Sequence, residues 1–313
     1  MNSDTSKKIL VISGPTASGK SYLANELKNQ RHAVIINADS MQVYKELPIL
    51  SAQPNSQDDC DNYKLYSFLN FYENCSAGIW LKAADKIIKE AFESNKLPII
   101  VGGTGLYLKA LLEGIVNIPE VTNDVKKKVQ EKFLEIGKEK FHEKLTVVDP
   151  VSAKKIHRND AYRMQRAMEV YMQTGKSIAS FKGSGSPYNA VHISIALDRK
   201  TLYQNCDLRF KKMLNIGAEE EVRSLLKKTK EQPGKYNVEN TLGYRSLVSY
   251  FMDKISLEEA ILEASQATRN YAKRQCTWYN NQFPNKILLS CTSTVHEIKK
   301  KFLKVVEQQI SFT

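Results

Sequence analysis

The chain has 313 residues, 42% of them hydrophobic, and 46 Lys and Arg against 34 Asp and Glu give a formal net charge of +12. That length suits one large or two medium domains, no apolar run approaches a membrane span, and residues 1–8 carry no secretory segment. Five scattered cysteines with no C-x-x-C pair exclude a disulfide framework or a cysteine zinc site and fit a reducing cytoplasm, and the basic excess suits either a polyanionic partner or simply solvated lysines.

The first apolar run, 9–13, reads as a buried strand, and 22–27 carries apolar residues at helical spacing. Between them stands Gly14-Pro15-Thr16-Ala17-Ser18-Gly19-Lys20-Ser21, with the G-x-x-x-x-G-K-[ST] spacing of a phosphate-binding loop. Glycines there let phosphate oxygens approach the backbone, and successive N–H groups form an anion nest at a helix N-terminus. Lys20 adds a mobile positive charge for the outer phosphates. The Ser21 hydroxyl suits Mg²⁺, which prefers hard oxygen ligands. The bland alternative is a glycine turn before a helix that binds nothing. The loop permits ATP but does not say which polyphosphate it takes.

A second strand is expected over 33–37, followed by Asp39-Ser40-Met41-Gln42-Val43-Tyr44. A carboxylate at a strand's carboxyl end can hold Mg²⁺ through water or take a proton from a nucleophile; it can equally cap a helix. The third strand, 97–101, leads into Gly102-Gly103-Thr104-Gly105. Thr104 could donate to an anionic oxygen, orient a nucleophile or cap the next helix. From 115 to 187 the sequence lacks strand character, with helical patterns at 125–136, 139–145, 150–156 and 160–174 and then the loop 182–187. Arg163 and Arg166 share a helix face there and suit phosphates. Strands 191–197 and 286–289 and helices 202–216, 218–228, 256–283 and 295–310 complete the chain. Alternating strands and helices predict a doubly wound parallel α/β sheet, with 1–114 and 188–313 as the core and 115–187 as a helical insertion. The stretch 268–279 interleaves Arg269, Lys273 and Arg274 with Tyr271, Trp278 and Tyr279. Such a helix suits RNA, its cations for phosphates and its aromatics for unstacked bases; Trp278 itself is better read as core.

Taken together, these segments resemble the tRNA dimethylallyltransferases (isopentenyl-tRNA transferases). The matching stretches are 14–21, 39–44, 101–107, 156–175, 243–245 and 268–278, in the family's order across nearly the whole chain. The resemblance implies a P-loop NTPase-like core with a mobile helical insertion. It implies transfer of a dimethylallyl group from dimethylallyl diphosphate to the N6 amine of the adenine just 3′ of the anticodon, in the tRNA anticodon stem-loop. Asp39 would then be the general base, with Thr104 placing substrate. Lys20, the loop amides, Arg209 and Mg²⁺ at Ser21 would stabilise the leaving diphosphate. The family's tRNA-contacting segments fall on Asp39, Ser40, Met41, Gln42, Thr104, Lys126, Tyr162, Arg163, Met164, Gln165, Arg166, Asn240, Thr241, Leu242, Gly243, Tyr244 and Arg245. A cytoplasmic monomer of bacterial type, without a membrane association or the zinc-finger extension of eukaryotic members, is the expectation. Met41, Gln53, Arg158, Tyr162, Asn205 and residues 63–65 depart from the family's usual residues and bear on tRNA contacts more than on the reaction. Two rival enzymes remain, a small-molecule kinase and a transferase acting on free adenine nucleotides. A third rival is an RNA-binding protein with a vestigial loop.

Overall fold

The computed structural model describes residues 8–54, 60–114, 118–181, 183, 185–291 and 295–310. The expected start of the insertion at Ile115, the loop residues Lys182 and Ser184, the polar stretch before Lys8 and the side chains of Cys60 and Cys291 lie outside them. Among the described residues no helix is long and apolar enough to cross a membrane.

Six strands form one parallel sheet: β1 (Lys8–Ser13), β2 (Ala33–Asn37), β3 (Tyr63–Lys64), β4 (Leu97–Gly102), β5 (Asn189–Leu197) and β6 (Ile287–Cys291). Their order is β3-β2-β4-β1-β5-β6, so β1 is interior, between β4 and β5. Ser13 pairs with Gly102 of β4 and with Ser194 of β5, which brings the ends of β1 and β4 level while β5 runs on to Leu197. The helices that follow the strands are α1 (Lys20–Gln30), α2 (Ala77–Glu93) and α3 (Gly105–Glu113). Three helices, α4 (Asn123–Val148), α5 (Pro150–Lys155) and α6 (Ala161–Thr174), fall in the expected insertion. The C-terminal part adds α7 (Arg199–Asn215), α8 (Ala218–Glu231), α9 (Tyr244–Phe251), α10 (Leu257–Gln282) and α11 (Val295–Gln309).

Alternation along the strands decides the layers, because successive side chains point to opposite faces. Leu10 and Ile12, with Ile35, Ile99 and Ile193, pack under α1 and α11, contributing Leu23 and Leu27, Phe302 and Val306. Ile9 and Val11, with Val34, Ile36 and Ile100, pack under α2, α3 and the end of α10, against Trp80, Leu108 and Tyr279. Both faces are covered, so the strands read as unbroken apolar runs rather than alternating ones. Trp80 is buried, stacks on Tyr107 at 4.8 Å and donates its indole N–H to Asn37 O at 2.7 Å. A third cluster joins α7, α8, α9 and the first half of α10 to residues 43–50 through Phe210, Leu225, Leu247 and Ala264.

By contacts the chain divides into two compact units. The larger runs to Leu112 and resumes at Pro187; the smaller is Glu113–Ser186. The smaller has its own core of Val129, Phe141, Leu145, Met164 and Met168. The helices read separately at 125–136 and 139–145 are two, as expected: α4 is a pair of helices that meet at a kink at non-helical Gly137, φ 72° and ψ 171°.

Candidate active site

At the end of β1 the chain turns through the phosphate loop into α1. Gly14 sits at φ 146° and Gly19 at φ 88°, conformations that a side chain disfavours. A Cβ on Gly14 would also come 2.7 Å from the Ile195 carbonyl oxygen. The loop is closed by Ser18 N–H donating to Pro15 O at 3.3 Å. Lys20 folds back over it, its Nζ donating to Pro15 O at 2.6 Å. Gly19 caps α1 without a side-chain bond, and the buried Ser18 hydroxyl has no partner among the described residues. A phosphate oxygen is the acceptor such a donor lacks.

Two cations converge on this loop. Arg209 of α7 donates from Nη1 to Thr16 Oγ1 at 3.0 Å and from Nη2 to Ser51 O at 3.4 Å. Removal from water lowers the Lys20 pKa to about 8, with Asp39 pulling it back up and Arg209 pushing it further down. Burial also lowers Arg209, again countered by Asp39. A di-anion bound here would relieve both effects, since an opposite charge favours the protonated forms.

Asp39 stands beyond β2 in a turn that its neighbours hold. Asn37 is buried; its Oδ1 accepts Asp39 N–H at 2.8 Å, and its Nδ2 donates to Asp39 O at 3.1 Å and Leu65 O at 2.9 Å. Asp39 Oδ1 accepts Met41 N–H at 2.9 Å. No helix follows Asp39, so its carboxylate caps a turn and the helix-cap alternative falls away. Thr104 Oγ1 accepts Ser40 N–H at 2.8 Å and donates to Ser40 Oγ at 3.2 Å, while Thr104 N–H donates to Ala38 O at 3.1 Å. The Thr104 hydroxyl therefore fixes the Asp39–Ser40 turn instead of capping α3.

The residues expected to meet tRNA divide by exposure. Asp39, Ser40, Met41, Gln42 and Thr104 are half-buried around the turn, and Asn240 and Arg245 are exposed and bonded to each other at 3.1 Å. Thr241, Gly243 and Tyr244 are buried, and Leu242 half-buried. Gly243 is the left-handed cap of α9, and Tyr244 packs in the third cluster. In the smaller unit Lys126 is exposed and Tyr162 is 81% exposed. Met164 corrects the expectation, because α6 turns it into that unit's core. Arg163 pairs with Asp160 at 3.4 Å and Arg166 with Glu169 at 3.1 Å, with Gln165 half-buried between them. On α10, Arg269 is paired with Asp207 at 2.6 Å, leaving Lys273 and Arg274 exposed; Trp278 is half-buried, its ring against Gly105.

Three side chains gain roles that the sequence reading did not give them. Gln275 accepts Thr16 N–H at 2.8 Å and donates to Gly103 O at 2.7 Å. Asn205 donates to Ala17 O at 3.3 Å. Gln53 donates to Tyr44 O at 2.8 Å and accepts Ser67 Oγ–H at 2.7 Å, which makes it a brace for the segment after Asp39. No spacing rule links these positions to the loops they hold. For a metal, the oxygens of Ser21 and Asp39 are the hard donors at the site; among the described residues no group of three or more His, Cys, Asp or Glu could hold one.

A phosphate loop on an interior strand, a carboxylate at the end of a second strand and a threonine loop after a third define a P-loop α/β protein. The comparisons with known proteins narrow that class. The family model "IPP transferase" matches residues 42–282 and "Isopentenyl transferase" matches 7–67. The tRNA dimethylallyltransferase of Rickettsia conorii is 42% identical over 294 residues, covering 92% of this chain and 80% of that protein. That of Ehrlichia canis is 38% identical over 281 residues, covering 88% and 93%. Among solved structures, the tRNA isopentenylpyrophosphate transferase of Staphylococcus epidermidis is 32% identical at a TM-score of 0.69, covering 97% of this chain and 99% of that one. A eukaryotic dimethylallyltransferase acting on tRNA is 26% identical at a TM-score of 0.85, covering 96% and 78%. The chain belongs to the tRNA dimethylallyltransferase family.

Proposed function

We propose that this protein transfers the dimethylallyl group of dimethylallyl diphosphate to the N6 amine of the adenine just 3′ of the anticodon in tRNA, releasing diphosphate, in the cytoplasm. The observation that carries the reading is the convergence of two chemistries at the carboxyl ends of the interior strands. The loop with Lys20 and Arg209 is built for a polyphosphate, and the Asp39 turn beside it is built for a proton.

The adenine amine is a weak nucleophile, its lone pair drawn into the ring. As its nitrogen bonds to the allylic carbon, the carbon–oxygen bond to diphosphate breaks and one N–H proton passes to the Asp39 carboxylate. Negative charge then grows on the diphosphate. Lys20 leaves Pro15 O to meet it, Arg209 and the N-terminus of α1 face it, and the Ser18 hydroxyl gains an acceptor. Ser21, with Asp39 through water, would hold Mg²⁺, which neutralises part of the same charge when bound. The base must leave its stack to reach Asp39, as for other base-modifying enzymes. Thr104 acts through Ser40, holding the turn that aims the carboxylate. Lys126, Tyr162, Arg163 and Arg166 would contact the anticodon arm from the insertion.

The test is to incubate the protein with dimethylallyl diphosphate, Mg²⁺ and bulk unmodified tRNA, then seek prenylated adenosine in the digested tRNA by mass spectrometry. Added mass on free adenine nucleotides alone would replace tRNA as the acceptor. Transfer of a labelled γ-phosphate from ATP would replace the reaction.

A further inference from the structure

Gln275 lies on α10, 6% exposed, and both ends of its amide are used. Its Oε1 accepts the Thr16 N–H of the phosphate loop, and its Nε2 donates to the Gly103 carbonyl of the loop after β4. These loops leave neighbouring strands, Ser13 of β1 standing opposite Gly102 of β4. A Cβ built on Gly103 would collide with Gln275 Nε2 and lie 3.6 Å from Asp39 Oδ2. The amide and the proposed base therefore flank the same glycine. The Thr16 hydroxyl is engaged too, by Arg209. Thr16 is thus fastened through both its N–H and its hydroxyl, and its amide faces Gln275 instead of joining the anion nest.

We propose that Gln275 is a positioning residue that sets the distance between the leaving diphosphate and the attacking amine. The inference rests on the reaction proposed above. One loop offers a donor and the other an acceptor, so the strut must accept at one end and donate at the other. A primary amide does this at every pH. Asn is one methylene too short. A carboxylate cannot donate, and a thioether cannot donate and accepts only weakly. The rest of α10 makes the strut stiff: Thr268, Ala272 and Tyr279 are buried along it, and a capping box between Ser256 and Glu259 closes its start. A near-attack geometry is sensitive to displacements of an ångström, so freeing one loop from the other should lower turnover far more than binding.

The experiment compares the whole protein with Gln275→Met and Gln275→Glu. For Gln275→Met we expect kcat for tRNA modification to fall by about ten- to a hundredfold, with KM for tRNA within about twofold of wild type. Gln275→Glu supplies the readout that a packing role would not move. Its buried carboxyl titrates above the ordinary range. Once protonated it again accepts from Thr16 and donates to Gly103; ionised, it repels the Gly103 carbonyl and the diphosphate. Its kcat relative to wild type should therefore rise by about tenfold between pH 8 and pH 6. The protection factor of the Thr16 amide, its intrinsic exchange rate over the observed one, read by NMR, should be high in wild type, low in Gln275→Met and raised again in Gln275→Glu at the lower pH. A Met variant with wild-type kcat, or a Glu variant whose relative kcat and Thr16 protection factor ignore pH, would overturn the strut. A wild-type protein that shows this exchange pattern but does not modify tRNA would refute the reaction and leave the strut standing.

Discussion

At the scale of single residues, the site is governed by two groups held in unusual surroundings. Asp39 is placed by Asn37 from one side and by Thr104 through Ser40 from the other, so a neutral substitute should keep the turn. Asp39→Asn is therefore expected to bind dimethylallyl diphosphate normally and to lose about 10²–10⁴-fold in kcat on tRNA, measured at saturating substrates. Lys20 gives a pH signature. Its folded pKa is about 8 against 10.5 in the unfolded chain. Between those values the unfolded chain holds the proton and the folded one does not, so this group's contribution to stability rises as pH rises through the window. Binding runs the other way. The diphosphate wants Lys20 charged, so above pH 8 each binding event must draw a proton from solvent, and KM for dimethylallyl diphosphate should climb with pH. Lys20→Met should abolish transfer and leave a dissociation constant for dimethylallyl diphosphate that does not climb with pH, while raising the melting temperature at pH 7 by on the order of a few degrees. A flat KM across pH 7–10 in the wild type would sink this account.

At the scale of elements, the turn between β1 and α1 is the least forgiving. Gly14→Ala combines a strained φ with a Cβ pressed on the β5 backbone, which cannot withdraw without breaking the β1–β5 ladder. It should cost about 2–3 kcal/mol in chemical denaturation and weaken diphosphate binding, because the loop amides move with it. The same contrast explains which elements can be read from the sequence. The strands at 33–37 and 97–102 carry the unbroken apolar runs 33–36 and 97–101 because both faces of the sheet are covered, and such runs announce themselves. Tyr63–Lys64 does not: two residues at the edge, with no apolar run, form a strand only because β2 is there to pair with. Asp39 and Thr104 are legible because ligands gather at strand ends. Gln275 is not, since a polar residue inside an amphipathic helix looks like any other until its distant partners are folded around it. Met164 fails in the opposite direction. A contiguous stretch reads in sequence as sharing one task, but a helix turns about a third of it inward, and Met164 follows the packing.

At the scale of the molecule, the proposed chemistry and part of the proposed tRNA grip fall in different compact units. The phosphate loop, Asp39, Thr104, Arg209 and Gln275 all belong to the larger one, while Lys126 and Tyr162–Arg166 belong to Glu113–Ser186. The smaller unit fills its own interior with Phe141, Leu145, Met164 and Met168, and among the described residues the larger has four clusters that use no residue of it. The chain also enters and leaves the smaller unit at neighbouring points: a Cβ on Gly114 would lie 2.5 Å from Gly185 O. Replacing 115–184 by a short glycine linker therefore closes a small gap and removes no core residue from the sheet, so loop entropy gives little reason for unfolding. The shortened protein is expected to unfold cooperatively and to bind inorganic pyrophosphate within about threefold of the full chain, since the anion site keeps all its donors and the difference is below about 1 kcal/mol. It should modify tRNA at least about a hundredfold more slowly at low tRNA concentration, because several phosphate and stacking contacts leave with the insertion. Calorimetry and the tRNA assay separate the outcomes. Loss of pyrophosphate binding in a folded core would make the insertion part of the diphosphate site, and full transfer by that core would leave Lys126 and Tyr162 without a role in holding tRNA.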